Sequence, residues 1–410
     1  MRISTSSLYA TSTTQLGTLQ SQLARTQQQL STNRRMLSAA DDPVASARAL
    51  EVTQSQSINA QFATNRANAR ASLSQEEGAL TGVQQLIQDV QVTAVAAGSG
   101  INSAGDRAAF ANELEGRLED LVALANTSDG NGGYVFSGYK VGTMPFVKTN
   151  AGVDYQGDQG QVQLQVGGAR RIAMGDAGSA VFTGIPTGNG AFVTAANVTN
   201  GGTGVISAGT VSDPRQLTGH RYQIDFSAPG APPVSSYTIT DLTTNTTVPP
   251  APAVAVVPYT SGDAIKIGGM SFDIKGAPAA GDSFSVQPSG KQDLFATLSK
   301  MIDTLRAPAG TPAEKQALTD GLAAANGNLS AALDKVLTVR ASVGSRQKEL
   351  DTLDTAGADT DVQYATTLSG LQDLDLVKAI SQFTQQQATL DAAQKTFKAV
   401  SSLSLFNYIG

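Results

Sequence analysis

The sequence predicts a mainly α-helical protein with an inserted β domain: long coiled-coil-like helices built from both chain termini, plus an outer all-β domain between them. Two observations lead to this prediction. Near both ends of the 410-residue chain, apolar residues recur every three to four positions, which is typical of helices that pack side by side. In the middle, β-branched residues, Gly, Pro and Thr replace this pattern and indicate short strands joined by turns.

The N-terminal segment carries leucines at heptad spacing, which form a narrow seam for a partner helix. The seam residues are Leu16, Leu19, Leu23, Leu30 and Leu37. Thr26 and Asn33 occupy intervening positions at which a strong coiled coil has apolar side chains. Because the seam is partly polar, we expect this helix to be marginal alone and to order fully only against neighbouring helices.

Two adjacent carboxylates interrupt the helical pattern in the stretch SAADDPVASARAL, residues 38–50. Asp42 directly before Pro43 predicts a helix start, because Asp accepts a backbone N–H at the N-cap and Pro needs none at the first helical position. Acid–base or metal chemistry would require a histidine or a third acid, and the stretch has neither. We therefore expect Asp41, Asp42 and Pro43 to mark a joint between two helical layers.

A long helix is predicted from Pro43 to a break at residues 98–105, followed by a shorter helix that stops at SDGNGG, residues 128–133. The apolar stripe of the long helix comprises Leu73, Leu80, Val83, Ile87, Val90 and Ala94. Charged residues of this helix are expected on its solvated faces. They include Arg66, Arg70, Glu76 and Glu77.

The β-rich region contains the strand-like runs VQLQV, YQIDF, YTIT and FDI between turn residues. Helix is predicted again from about Gln292, and two heptad sets follow. The first set is Leu322, Leu329, Val336, Val343 and Leu350, and its companion set is Leu318, Ala325, Ala332, Val339 and Arg346. The polar stretch DTAGADTDVQ, residues 354–363, is expected to end this helix.

The last helix mirrors the first one, with Gln387 and Gln394 at intervening seam positions. Its seam residues are Leu376, Ile380, Phe383, Leu390 and Phe397. Three domains are therefore predicted. They are residues 1–41 with 370–410 as terminal coiled-coil helices, residues 42–133 with 291–369 as a long helical bundle, and residues 134–290 as the β-rich outer domain.

Composition argues against catalysis and against several partners. The chain has no Cys, no Trp and one His, so it has few groups for nucleophilic or metal chemistry, and we expect no enzyme activity, no metal and no cofactor. With a net charge of −6 and dispersed Lys and Arg, nucleic acid is not an expected partner. The N-terminus lacks an apolar signal-peptide core and no window is long enough to span a membrane, so we expect neither Sec export nor membrane insertion.

Two short stretches admit a functional interpretation that we consider weaker. His220 could belong to a catalytic triad, but no GxSxG motif accompanies it, and an ordinary surface or turn histidine is preferred. The run DGNGGYVFSGYK from Asp129 suggests a calcium loop, but position 12 is Lys140 instead of Glu. A Gly-rich helix stop is the preferred interpretation there.

The sequence resembles the bacterial flagellin family at both ends. The resemblance rests on STNRRMLSAADDPVASARAL (31–50), EEGAL (76–80) and DLDLVKAISQFTQQQATLDAAQKTFKAVSSLSLFNYI (373–409). The start MRISTSSLY, the end SLFNYIG and the run NGGYVFSGYKVGTMPF are more similar to the members of this family at the hook–filament junction than to filament flagellins.

The resemblance implies a structural adaptor of the bacterial flagellum in which the terminal helices form an inner tube and order on assembly. It implies an extracellular protein that leaves unfolded through the flagellar type III apparatus. The implied partners are further copies of the chain, hook-associated protein 1, flagellin and a flagellar export chaperone. The alternatives are a filament flagellin or a secreted binding module on a helical stalk. Flagellins that the vertebrate innate-immune receptor recognises have arginines at the positions of Asp89 and Gln91. Recognition of this chain by that receptor is therefore not expected.

Overall fold

A computed structural model describes most of the chain, namely residues 5–150, 152–197, 199–229, 235–248 and 256–402. The outermost parts of the predicted terminal helices, residues 1–4 and 403–410, lie outside the described residues. The helices are α1 (Thr5–Thr32), α2 (Pro43–Ala97), α3 (Ala104–Ala125), α4 (Gly178–Val181), α5 (Leu294–Arg306), α6 (Pro312–Gln372) and α7 (Leu376–Ser402). None of these described helices is long and apolar enough to cross a lipid bilayer.

The strands lie between α3 and α5, so the predicted order of helices, β insert and helices is confirmed. Those near the helices are β1 (Phe146–Thr149), β2 (Gly152–Tyr155), β3 (Gln163–Gln165), β4 (Arg171–Ala173), β5 (Ile185–Pro186) and β16 (Lys291–Gln292). The others are β6 (Phe192–Ala196), β7 (Val205–Ile206), β8 (Thr210–Val211), β9 (Tyr222–Ser227), β10 (Ser236–Asp241), β11 (Thr246–Val248), β12 (Val257–Pro258), β13 (Ala264–Ile267), β14 (Met270–Lys275) and β15 (Ser283–Pro288).

The long helix α6 passes through the polar stretch at 354–363, where the sequence analysis placed a break, so that prediction is wrong. Threonine hydroxyls in this stretch donate to carbonyls one turn earlier, as Thr355 does to Asp351 at 3.1 Å. Such bonds satisfy the threonine hydroxyls inside the helix. A polar composition alone therefore does not end the helix. The break instead falls at residues 373–375, between α6 and α7.

The chain divides into two compact units, residues 1–65 with 351–410 and residues 66–350. In the first unit α1 packs against α7. Side chains also link the parts of α2 and α6 that belong to it. Asn59 Nδ2 donates to the carbonyl of Gly357 at 2.8 Å, and Gln56 Nε2 donates to Asp361 at 3.0 Å. The three predicted domains have other boundaries than these units, and they stay a prediction.

In the second unit, α2 and α6 run antiparallel and α3 packs against α5. Gln91 of α2 donates to Ser330 at 3.0 Å, while Arg340 Nε donates to Glu77 at 2.9 Å. The predicted stripes are buried in both long helices, except that Leu318 and Arg346 of the companion set are half-buried. The buried residues comprise Leu73, Leu80, Val83, Ile87, Val90 and Ala94 of α2, and Leu322, Ala325, Leu329, Ala332, Val336, Val339, Val343 and Leu350 of α6.

Two charged residues of α2 are buried as well, so the prediction that they lie on solvated faces is wrong. Arg66 is 4% exposed and Glu76 is fully buried. Both lie at stripe positions, seven residues before Leu73 and Val83, and the helix therefore turns them inward. Arg66 Nη1 donates to the carbonyl of Val166 at 3.1 Å, which ties α2 to the polypeptide between β3 and β4.

We call residues 134–186 the base segment, because they pack directly on the helices of the second unit. Its core is a group of aromatic rings in contact with the first turn of α5. Phe146 lies 5.2 Å from Phe182 and 5.0 Å from Phe295 between ring centroids, and Phe136 meets Phe182 edge-on at 5.2 Å. Edge-to-face pairs at such distances add to the stabilisation from burial.

We call the described part of residues 187–290 the β sandwich, because its strands form two antiparallel sheets around one core. One sheet has the order β11-β10-β9-β15-β6 with β12 beside β10, and the other has the order β13-β14-β7 with β8 beside β14. The core comprises Phe192, Tyr222, Ile224, Phe226, Ile239, Ile265, Ile267, Met270, Phe272, Ile274, Phe284 and Val286. The chain enters and leaves the sandwich through a two-stranded neck in which β5 pairs with β16.

The buried stripe of α2 leads to a testable prediction. Leu80→Ala is expected to lower the free energy of unfolding by about 2–5 kcal/mol, because the leucine is fully buried and its removal leaves a cavity. Leu50→Ala is the matched control on the same helix, where the side chain is 71% exposed and the expected change is within about 0.5 kcal/mol. Urea denaturation followed by circular dichroism measures both. Equal effects of the two substitutions would contradict the assignment of the stripe.

Candidate assembly site

The contact between α1 and α7 includes most of the predicted N-terminal seam. Leu16, Leu19, Leu23 and Leu30 are half-buried, and the polar seam residue Thr26 is 5% exposed. Thr26 keeps its hydroxyl satisfied by donating to the carbonyl of Gln22 at 3.1 Å. The α1 side of the contact is therefore a row of leucines with one threonine among them, and the threonine hydroxyl is bonded to the backbone of its own helix.

Leu37 lies outside this helical contact. The helix α1 ends at Thr32, and Asn33 follows with a φ of +53°, a left-handed conformation that Asn tolerates better than most residues. The heptad count continued to residue 37 because spacing does not reveal where a helix stops. Leu37 is half-buried in the loop that follows α1.

On α7, Phe383, Leu390 and Phe397 are half-buried or buried, as the seam prediction requires. The ring of Phe397 lies 4.8 Å from that of Tyr9, so the aromatic pair joins the two helices near the chain ends. The second row of the contact is Ala379, Gln386 and Ala393, one position before the predicted row of Ile380, Gln387 and Gln394. The two alanines in this row allow close approach of the two backbones.

Three apolar side chains at the start of α7 remain exposed. Leu376 is 46% exposed, Val377 82% and Ile380 55%. Leu376 and Ile380 belong to the predicted assembly seam, and their place outside the α1 contact leaves them available to another chain. An exposed apolar group of this kind is a common mark of an interaction surface.

Asp41 and Asp42 lie in the connection between α1 and α2, and the N-cap predicted at Asp42 is confirmed. Asp42 Oδ1 accepts the N–H of Ala45 at 3.0 Å, and Pro43 is the first residue of α2. The remaining oxygen of Asp42 lies 3.6 Å from Arg35 Nη2. Asp42 therefore satisfies a backbone donor at the helix start and faces an arginine of the same loop.

Asp41 organises the loop before the cap. Its Oδ2 accepts the backbone N–H groups of Leu37 at 2.8 Å and Ser38 at 3.1 Å, and its Oδ1 pairs with Arg25 of α1 at 2.6 Å. The two N–H groups and the Arg25 charge hold the pKa of Asp41 below its usual range. Asp41 thus holds the loop together, while Asp42 caps the helix α2.

The same loop is bonded to the connection between α6 and α7. Arg35 donates its N–H to the carbonyl of Gln372 at 2.8 Å, and its Nη2 donates to the carbonyl of Leu371 at 2.9 Å. A cavity of about 280 Å³ lies beside the loop, lined by Arg34, Met36, Leu37, Ser38, Ala39, Ser46, Ala49, Leu50, Thr53 and Gln372. Both connections between long helices therefore meet in one place within the first unit.

Sequence reasoning missed the partner cap at Asp375. This residue precedes α7 and its Oδ1 accepts the N–H of Lys378 at 3.1 Å, the same geometry that Asp42 shows at the start of α2. The available signal was an Asp directly before an apolar residue at a helix start.

The weaker candidates for chemistry have structural roles. His220 Nδ1 lies 2.7 Å from Asp241 Oδ2 at the edge of the β sandwich. Burial alone would raise the pKa of Asp241, but the bond to His220 and two backbone N–H groups bring it to about 2. Asp129 Oδ1 accepts the N–H groups of Asn131 and Gly133, both at 2.8 Å, so it closes its own turn. The described residues contain no group of three acids or histidines able to hold a metal ion.

The geometry defines a class of protein: a long helical protein that pairs helices from both chain ends and carries a β domain between them. Comparison with known proteins agrees with this class. The model of the bacterial flagellin N-terminal helical region matches residues 3–141. A second model, the D2-like domain of flagellar hook-associated protein 1, matches residues 195–288.

Full-length relatives are more specific. Flagellar hook-associated protein 3 of Salmonella typhimurium is 29% identical over 407 residues, which is 99% of each chain, and that of Escherichia coli is 28% identical over the same share. The crystal structure of hook-associated protein 3 from Legionella pneumophila has a TM-score of 0.73 at 30% identity and covers 78% of this chain and 98% of that one. The flagellar junction protein FlgL of the same species has a TM-score of 0.71 at 30% identity, covering 80% and 100%.

The chain therefore belongs to the family of flagellar hook-associated protein 3, the hook–filament junction proteins of the bacterial flagellum. Its relatives are structural flagellar proteins, and a filament flagellin is the less supported alternative.

The cap at Asp42 leads to a prediction. Asp42→Ala is expected to destabilise the start of α2 by about 1 kcal/mol, because the N–H of Ala45 loses its acceptor. Faster hydrogen exchange at Ala45 and weaker assembly should accompany the loss. Asp42→Ser keeps an N-cap acceptor and should preserve both. An Asp42→Ala protein with unchanged exchange at Ala45 would contradict the capping role.

Proposed function

We propose that this protein is a structural adaptor whose assembly surface is built by α1, α7 and the joint at Asp41, Asp42 and Pro43. Subunits would pack head to tail in an open helical arrangement, with hook-associated protein 1 on one side and flagellin on the other. The observation that carries the proposal is the exposed apolar group of Leu376 and Val377 with Ile380, placed directly after the bonded joint.

The character of the α1–α7 contact supports this assignment. Within one chain the α1–α7 pair is held mainly by half-buried leucines and phenylalanines, a buried threonine and two alanines, which is a weak seam for two helices of this length. Neighbouring subunits would supply the missing burial. When one surface of a subunit contacts a different surface on the next copy, the subunits add head to tail and form an open helical assembly instead of a closed dimer.

The finer predictions of the sequence analysis also belong to this proposal. The terminal helices would form an inner tube, order fully on assembly and be joined to the long helices at residues 33–42. The protein would be exported unfolded through the flagellar type III apparatus with a chaperone bound near its C-terminus. The absence of cysteine is compatible with this route, since no disulfide has to form afterwards. No catalytic activity and no cofactor are proposed.

Deletion of the gene tests the function. The expected phenotype is an intact hook, no filament and full-length flagellin released into the medium, because filament subunits arrive but find no junction to polymerise on. Complementation with the wild-type gene is the control. Loss of flagellin itself from both cells and medium, or growth of the purified protein into long filaments, would favour the flagellin alternative.

A substitution at the exposed apolar group tests the surface. Val377→Asp is expected to leave thermal unfolding of the monomer unchanged, since the side chain is 82% exposed, while lowering its incorporation at hook ends. Gln385→Asp, at an exposed position two turns further along α7, is the control for an added charge. Immunogold counting of labelled hooks measures incorporation. Normal labelling by the Val377→Asp protein would remove this group from the assembly surface.

A further inference from the structure

The carboxyl group of Glu76 is enclosed between α2, α6 and the loop after β4. Its Oε1 accepts the backbone N–H of Asp176 at 3.0 Å. Its Oε2 is buried and has no hydrogen-bond partner among the described residues. A methyl group placed on Gly175 would lie 3.7 Å from this second oxygen, so the oxygen faces the polypeptide of the loop and not the solvent.

The charges around Glu76 do not balance if every group is ionised. Asp176 faces it from the loop and Arg346 faces both acids from α6, which gives two carboxyls for one guanidinium. Arg346 Nη2 bonds directly to Asp176 Oδ2, and Gln161 Nε2 donates to Asp176 Oδ1 at 2.6 Å. Asp176 therefore holds both the guanidinium of Arg346 and the side-chain amide of Gln161, while Glu76 has one neutral donor for its two oxygens.

An unpaired charge at this depth costs far more free energy than a neutral polar group with one bond missing.

We infer that Glu76 is a proton-binding site: at neutral pH Oε2 carries a proton, and loss of this proton loosens the loop at residues 174–177 from α2. The neutral acid matches its surroundings, because Oε1 is left as an acceptor for the Asp176 N–H. Burial, and then the charge of Asp176, raises the pKa of Glu76 to about 8. This site is independent of the assembly surface proposed above.

The direction of the pH effect follows from the two states. In the unfolded chain Glu76 loses its proton near pH 4.5, while in the folded protein it keeps the proton up to about pH 8. Its contribution to stability is therefore complete below pH 4.5, decreases as the pH rises above 4.5, and is lost once the pH has passed through 8. Between pH 4.5 and 8 the equilibrium constant for opening of the loop should rise by up to about tenfold for each pH unit.

Two measurements on the full-length chain test the inference. The side-chain carbon signal of Glu76 in an NMR titration should move with a midpoint well above pH 6. Hydrogen exchange of the Asp176 amide, corrected for the intrinsic rate, should become less protected between pH 5 and 8 in the wild-type protein. Glu76→Gln, which mimics the neutral acid, should lose this dependence, whereas Glu51→Gln at an exposed position of α2 should retain it.

A midpoint near pH 4.5, or the same exchange profile in the wild-type and Glu76→Gln proteins, would overturn the inference. Should Glu76→Gln fail to fold, the wild-type titration alone decides. Asp176→Asn gives a further check, because removal of the neighbouring negative charge should lower the midpoint of Glu76. An unchanged midpoint would show that Asp176 does not act on the carboxyl as inferred.

Discussion

Side-by-side packing of helices along rows that repeat every three and four residues is the constraint on which this molecule depends. In the first unit the rows bring α1 and α7 together, and in the second they bury the stripes of α2 and α6. Only a residue in phase with a row faces inward, whatever its chemical type. This rule explains both the leucine stripes and the buried charges, since Arg66 and Glu76 are in phase with Leu73 and Val83.

The two kinds of row have different energetics. Fully buried residues such as Leu80 and Val336 give the long helices a core of their own. The α1–α7 contact has few buried residues, such as Thr26 and Leu390, and most of its leucines and phenylalanines are only half-buried. Hydrophobic stabilisation scales with the area removed from water, so the second contact is the weaker of the two. A family of structural proteins at the hook–filament junction can use this difference, because a contact left incomplete within one chain can be completed between chains.

Features that depend on a repeating or local sequence pattern could be predicted, whereas features that depend on single long-range hydrogen bonds could not. The helical rows, the β insert and the cap at Asp42 were all foreseen, because each rests on a local pattern. Helix ends were less accessible: Leu37 continues the heptad count, but Asn33 has already turned the chain. The charge of Glu76 predicts exposure, but its phase on the helix decides which way it faces and turns it inward. The bonds of Glu76 to a loop 100 residues away have no signature in sequence.

The neck of the β sandwich has a consequence for how members of this family can differ. Because Ile185–Pro186 pairs with Lys291–Gln292, the chain departs from the base segment and returns to it at one point. The distance between departure and return is fixed by two paired strands and does not depend on the length of polypeptide between them. Insertions and deletions in that interval therefore leave the spacing of the helices unaltered, which makes the neck a natural site for evolutionary exchange of whole domains.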